Sequence, residues 1–246
     1  MKYDAKNFSF FVVFAILLLN SFASSQQTVD SEKIDLKKYE VSGQISGLFV
    51  NSIDASDEVF RRFGFPNRAF KDKFLDLGIG GRFTYNVSSK LAFETEVNYF
   101  PGRMTATELG NAGIPRGNRP LSGGKKTQIL AGVKYGFRKD KFGIFGKIRP
   151  GVIRFTAYPR LIGLAVVPSP TGGNPEDVLV ITQEIPSTFL SIDVGGVLEY
   201  YPTKNTVFRV DVGDTIVRYN AQKPKDINPS FTRHNLQTSI GFGFRF

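Results

Sequence analysis

Eight segments of the chain alternate apolar and polar residues with a period of two, at about 40–50, 76–86, 90–100, 126–137, 142–156, 187–201, 205–217 and 235–246. A period of two places successive side chains on opposite faces of an extended strand. Each segment is close to the ~9–11 residues that a tilted strand needs to cross the hydrocarbon of a bilayer. One face is apolar in strand after strand: Val41, Ile45 and Phe49, then Leu77, Ile79, Phe83 and Tyr85, then Leu91, Phe93, Val97 and Tyr99, then Ile129, Val133, Tyr135 and Phe137. The later segments add Ile144, Ile148 and Val152, then Leu190, Ile192, Val194, Leu198 and Tyr200, then Phe208, Val210, Val212 and Ile216. The opposite parity carries the charges: Glu40, Arg82, Glu94, Glu96, Lys134, Lys147, Arg149, Asp193, Glu199, Arg209, Asp211 and Arg245, six acidic and six basic.

The connectors sort into two lengths. Short polar turns follow the second, fourth and sixth segments, at 86–90, 138–141 and 202–205, while long ones occupy about 51–75, 101–125, 157–186 and 218–234. Strict alternation of this kind predicts an all-β chain, an eight-stranded antiparallel up-and-down transmembrane barrel with long loops outside. An even count also places both ends of the barrel on the periplasmic side. A ten-stranded barrel is the alternative, because Leu161 to Val167 and Val178 to Ile185 are apolar enough to pair. Pro159 and Pro186 bracket that unit, which favours the fifth and sixth strands continuing above the membrane over two further spans.

Facing inward in an eight-stranded barrel, the charges must fill a lumen barely wide enough for side chains. The balanced set then predicts internal pairing, with Gln44, Asn98, Gln128 and Ser191 completing a polar core. This argues against an open channel, although a narrow pore is a competing reading. The intrastrand glycines of Gly78-Ile79-Gly80-Gly81 are expected to relieve crowding inside a tight barrel.

The start of the chain agrees with export. Lys2 and Lys6 precede an apolar run from Phe8 to Leu19 and then small residues, the layout of a secretory signal over 1–25, with cleavage after Ala23 or Ser25. Residues 26–39 then read as a short periplasmic leader, and 40–246 as the barrel domain. No cysteine is present, so no disulfide or thiolate site is available to the exported chain. The formal charge of +10 becomes +9 without Lys2, Asp4 and Lys6, and for an exported protein its partner is an anionic surface and not nucleic acid. The second long connector contributes a net +3 from Arg103, Arg116, Arg119, Lys125 and Glu108, suited to lipopolysaccharide phosphates.

The last strand, ending Phe242-Gly243-Phe244-Arg245-Phe246, resembles the C-terminal strand by which bacterial outer-membrane barrels are recognised for assembly. Over about 40–246 the chain resembles the small outer-membrane barrel group that includes the transmembrane domain of outer-membrane protein A and its barrel-only relatives. The resemblance implies residence in the outer membrane, outer-membrane lipid as surroundings, and the barrel-assembly machinery and periplasmic chaperones as partners in biogenesis. Phe242, Phe244 and Phe246 would be the assembly signal. No peptidoglycan-binding domain follows the barrel in this sequence, so cell-wall tethering is not expected.

Chemistry has few candidates. His234 is the only histidine, which excludes sites built on several imidazoles, and no cofactor or metal is expected. The acidic groups Asp54, Asp57 and Glu58, and Glu176 and Asp177, lack the spacing of a calcium loop. A rim cluster of Asp214, Arg218, Arg233 and His234 is expected to close the last hairpin, Asp214 or Asp211 pairing with Arg218 or Arg233. Outer-membrane lipid A deacylases resemble the chain in size and architecture and carry a histidine and a serine two residues apart. Here Leu236 lies two beyond His234 and Ser239 five away, and Ser230 or Thr232 would approach only through loop folding. The sequence therefore points to a structural or surface-interaction barrel, not an enzyme, with lipid A acyl-chain chemistry as the alternative.

Overall fold

The computed structural model describes residues 37–51, 53, 74–102, 123–167, 177–220 and 230–246. Eight strands run through them: β1 Tyr39–Val50, β2 Phe74–Asn86, β3 Leu91–Phe100, β4 Lys126–Lys139, β5 Phe142–Val167, β6 Asp177–Thr203, β7 Thr206–Tyr219 and β8 Phe231–Arg245. Every strand is antiparallel to its sequence neighbours, and β8 pairs with β1 to close the barrel. Closure matters because hydrocarbon offers no partner to a free strand edge, and each strand of the closed barrel instead has a ladder on both sides. Among the described residues no helix is long and apolar enough to cross a membrane.

Strand registers fix the shape. A hydrogen-bonded row from Phe242 passes through Gly43, Gly81, Val97, Ile129, Val152, Leu190 and Arg218 and re-enters β8 at Thr232, ten residues from its start. A stagger of this kind requires strands tilted by roughly 35–45°. The ten-strand alternative is thereby corrected: Leu161 to Val167 and Val178 to Ile185 belong to extended β5 and β6, which pair as far as Val167 with Asp177. The ladder slips between Phe155 and Tyr158, beside Pro159 and across from Pro186, where a missing backbone donor favours a bulge.

The two faces separate as the alternation predicts. Outward side chains such as Ile45, Ile79, Phe93, Ile129, Ile148, Leu198, Val210 and Ile240 are exposed and apolar, whereas the charged parity is buried. That is the inversion of a soluble core and the signature of a transmembrane barrel. At the end with short turns, outward aromatic rings form a girdle, with centroids 5.9 Å apart for Tyr39 and Phe246, 5.1 Å for Phe142 and Tyr200, and 4.9 Å for Phe208 and Phe242. Phe242, Phe244 and Phe246 all face outward within it. Gly78 and Gly80 are inward, and a Cβ on either would meet Phe100 or Asn98 at 2.5 Å or less. Gly81, by contrast, faces open space outside the barrel, so it relieves no interior crowding.

Candidate functional site

The lumen is the most densely bonded polar region of the described chain. At the turn end, Glu40 receives hydrogen bonds from Arg138 at 3.2 Å and Arg245 at 3.0 Å. Glu199 joins Lys134 to Arg209 at 3.2 Å, and Arg209 continues to Glu94 and, at 2.8 Å, to Asp211. From Asp211 the network branches to Arg82 at 3.1 Å and Lys147 at 3.3 Å. Arg82 binds Glu96 at 2.6 Å, Arg149 bridges Glu96 and Asp193, and Lys147 reaches Asp193 at 2.9 Å. All twelve charged residues read as inward thus meet in one network, which period two could place on a face but could not pair. Among the described residues Asp193 Oδ1, Arg138 Nη1 and Arg245 Nη2 have no hydrogen-bond partner, so the network is dense without being complete.

Three lumen charges escaped the sequence reading. Asp76 and Lys126 stand at the first position of their alternating segments and Arg138 in the short turn 138–141, yet all three are buried inward. Counting them, the described interior holds eight basic and seven acidic side chains, which is close to neutral. Beyond the ionic network comes an amide layer: Asn98 donates to Glu96 at 2.6 Å and Gln128 at 3.0 Å, and Gln128 donates to Gln237 at 3.1 Å. Next, Lys126 Nζ donates to Asp76 Oδ2 at 2.6 Å and sits 5.5 Å from the centre of the Phe155 ring.

Above that pair the interior changes character. Leu48, Val50, Ile53, Phe100, Ile153, Phe155, Tyr158, Leu161, Phe189, Val217, Tyr219 and Phe231 form a buried apolar cluster at the loop end of the strands. Its rings interlock, Tyr158 and Phe189 at 4.8 Å, Phe189 and Tyr219 at 4.8 Å, and Tyr219 and Phe231 at 4.8 Å. The expectation of an all-polar core is corrected here. The signal was present in the inward parity of Leu48, Val50, Phe155 and Phe189, but it sits where strands grade into long connectors.

The rim cluster forms different pairs from those expected. Asp211 belongs to the lumen network, and Asp214 pairs with His234, whose Nδ1 lies 2.6 Å from Asp214 Oδ2. Arg218 Nη1 instead donates to Thr232 Oγ1 at 3.1 Å, and the Arg233 guanidinium lies 4.5 Å from the centre of the Phe231 ring. Asp214 and His234 are both outward, on a ladder without a register shift. Thr232 is on the same outward face as His234, two residues away, without any loop folding.

Among the described residues no group of three or more His, Asp or Glu is placed to hold a metal ion. Residues 1–36, which hold the expected signal and most of the expected leader, lie outside the described residues, as do Asp54, Asp57, Glu58, Glu176, Arg103, Arg116 and Arg119.

No family model and no curated protein sequence matches the chain. Solved structures do. The chain is similar to Neisserial surface protein A, with 12% identity and a TM-score of 0.48 over 85% of this chain and 97% of that one. It is similar to Ail, the attachment invasion locus protein of Yersinia pestis, with 11% identity and a TM-score of 0.42 over 86% and 100%. A third similarity is to the outer membrane protein OprG of Pseudomonas aeruginosa, with 15% identity and a TM-score of 0.40 over 85% and 96%. These likenesses concern the path of the chain, and the eight-stranded transmembrane barrel itself follows from the strand registers and the inverted faces described above.

Proposed function

We propose that the chain is an integral barrel of a bacterial outer membrane with a structural or surface-interaction role, its long loops outside and the ends of the barrel in the periplasm. The observation that carries this reading is the filled lumen. A near-neutral ionic network, an amide layer and an aromatic cluster succeed one another along the barrel axis, which supports a closed interior over a conducting one. Function then belongs to the outer surface and the loops, whose partners are membrane lipid and, through the cationic second loop, lipopolysaccharide phosphates. During biogenesis, Phe242, Phe244 and Phe246 would present the outward aromatic signal to the assembly machinery.

Refolding into lipid vesicles tests the placement. A heat-modifiable shift on gels, with protease cleavage on whole cells confined to 51–75, 101–125, 157–186 and 218–234, is the expected result. Recovery as a soluble periplasmic protein would overturn it. One observation favours a second reading, a lipid-modifying enzyme: the Asp214–His234 pair beside Thr232 on the lipid-facing surface. Mass spectrometry of lipid A from cells with and without the protein separates the two, since altered acylation would move the assignment to the enzyme.

A further inference from the structure

We propose that the outward face of β7 and β8 at the loop end docks a phosphorylated outer-leaflet lipid whose acyl region carries hydroxyl or amide donors. The inference rests on the outer-membrane reading above and adds a ligand class and named residues to it.

Asp214 is the anomaly that calls for it. Along β7 its outward neighbours are Val212 and Ile216, and across the ladder it faces Val194 and Leu236. All four are apolar, so the carboxylate projects from the band that meets hydrocarbon. An ionisable group in that position is costly and persists where a specific partner compensates it. His234 supplies one partner at 2.6 Å, yet the two side chains remain 42% and 65% exposed. The pair is thus open to a neighbouring molecule in the membrane. With Nδ1 engaged by Asp214, Nε2 is the imidazole nitrogen left to meet that molecule.

The cations lie further towards the loop end. Arg218, four residues beyond Asp214 on β7, is exposed and spends one of its five N–H donors on Thr232. Exposed Arg154 and Lys125 continue the outward cationic side on β5 and before β4. On β1 to β3 the outward positions near the loop end are Phe49, Leu75 and Tyr99, so among the described residues the outward cations lie on the side of β4, β5 and β7. Arg218 and Asp214 are separated by ~13 Å along the strand. A lipid with a phosphate at headgroup level and a hydroxyl or amide donor at the start of its acyl chains would reach both. A second copy of the chain on this face is disfavoured, because a two-fold contact would bring Arg218 and Arg154 against like charges.

The test compares the wild type with Asp214→Asn, Arg218→Gln and, on a distant outward position, Ile148→Ala. Each is refolded into phosphatidylcholine nanodiscs, checked for the heat-modifiable shift and analysed by native mass spectrometry. The probes are phosphatidic acid, a phosphorylated glucosamine lipid with amide-linked hydroxyacyl chains, and the same glycolipid without phosphate. The wild type and Ile148→Ala should retain the phosphorylated glycolipid best. Arg218→Gln should lose about tenfold for both phosphorylated probes and little for the dephosphorylated one. Asp214→Asn should weaken both glycolipids and leave phosphatidic acid unchanged. Equal retention by all variants, or a wild-type dimer that Asp214→Asn dissolves, would overturn the proposal while leaving the barrel reading intact. Failure of the wild type to insert would overturn both.

Discussion

The barrel interior solves the same packing problem in two ways, and the contrast separates specificity from stability. Near the turn end, Arg82, Glu94, Glu96, Arg149, Glu199, Arg209 and Asp211 are buried together, and each ion has lost its water. Their mutual attraction has to offset that desolvation before it contributes anything, so such a network fixes one arrangement more than it stabilises the fold. Near the loop end Phe155, Tyr158, Phe189, Tyr219 and Phe231 bury apolar area with no such penalty. Lys126 and Asp76 sit at the junction, bonded to each other and next to the Phe155 ring.

Breaking one ion of the network and emptying one aromatic site should have the largest effects. Glu94→Ala removes the carboxylate shared by Arg209 and Lys134 and leaves buried cations short of a partner. A loss of about 3–5 kcal/mol is expected in urea unfolding from vesicles. In the aromatic zone, Phe155→Ala should cost a similar ~3–5 kcal/mol, but through a cavity and not through stranded charge. Salt distinguishes them: added salt should soften the first defect more than the second if water enters the ionic zone.

An outward change calibrates both. Val210→Arg should obstruct insertion at a cost of about 2–4 kcal/mol near the bilayer midplane, read as a reduced refolded fraction. A paired replacement at the junction should behave unlike any single one: Lys126→Met with Asp76→Leu should be near neutral or stabilising, while Lys126→Met alone should destabilise. A large loss in the double variant would mean that the pair contributes stability outright. The smallest effect is expected at Tyr219, whose buried hydroxyl has no hydrogen-bond partner among the described residues. Tyr219→Phe should leave stability unchanged or raise it slightly.

Legibility in the sequence followed the same division. Parity alone placed Arg82, Glu94 and Arg209 inside and Val210 and Val212 outside, because a one-residue shift would invert the faces. Partners were not legible, since Arg82 meets Asp211 only after the stagger brings β2 and β7 side chains together across the lumen. Strand ends hid the rest: Asp76 and Lys126 open their segments, where facing is weakly defined, Arg138 fell in a turn, and the inward aromatics were assigned no role. The pairing of Asp214 with His234 crosses the last hairpin diagonally, beyond what alternation can specify.

Conductance across a planar bilayer tests the filled lumen most directly. With the ionic network, the amide layer and the aromatic cluster in series, the wild-type barrel should show little or no steady current. Single changes in either zone, Glu94→Ala or Phe155→Ala, should leave it closed or flickering, because the other zone still obstructs the path. A large and stable conductance in the unmutated protein, indifferent to both changes, would mean that the interior is a wet channel and would contradict the account.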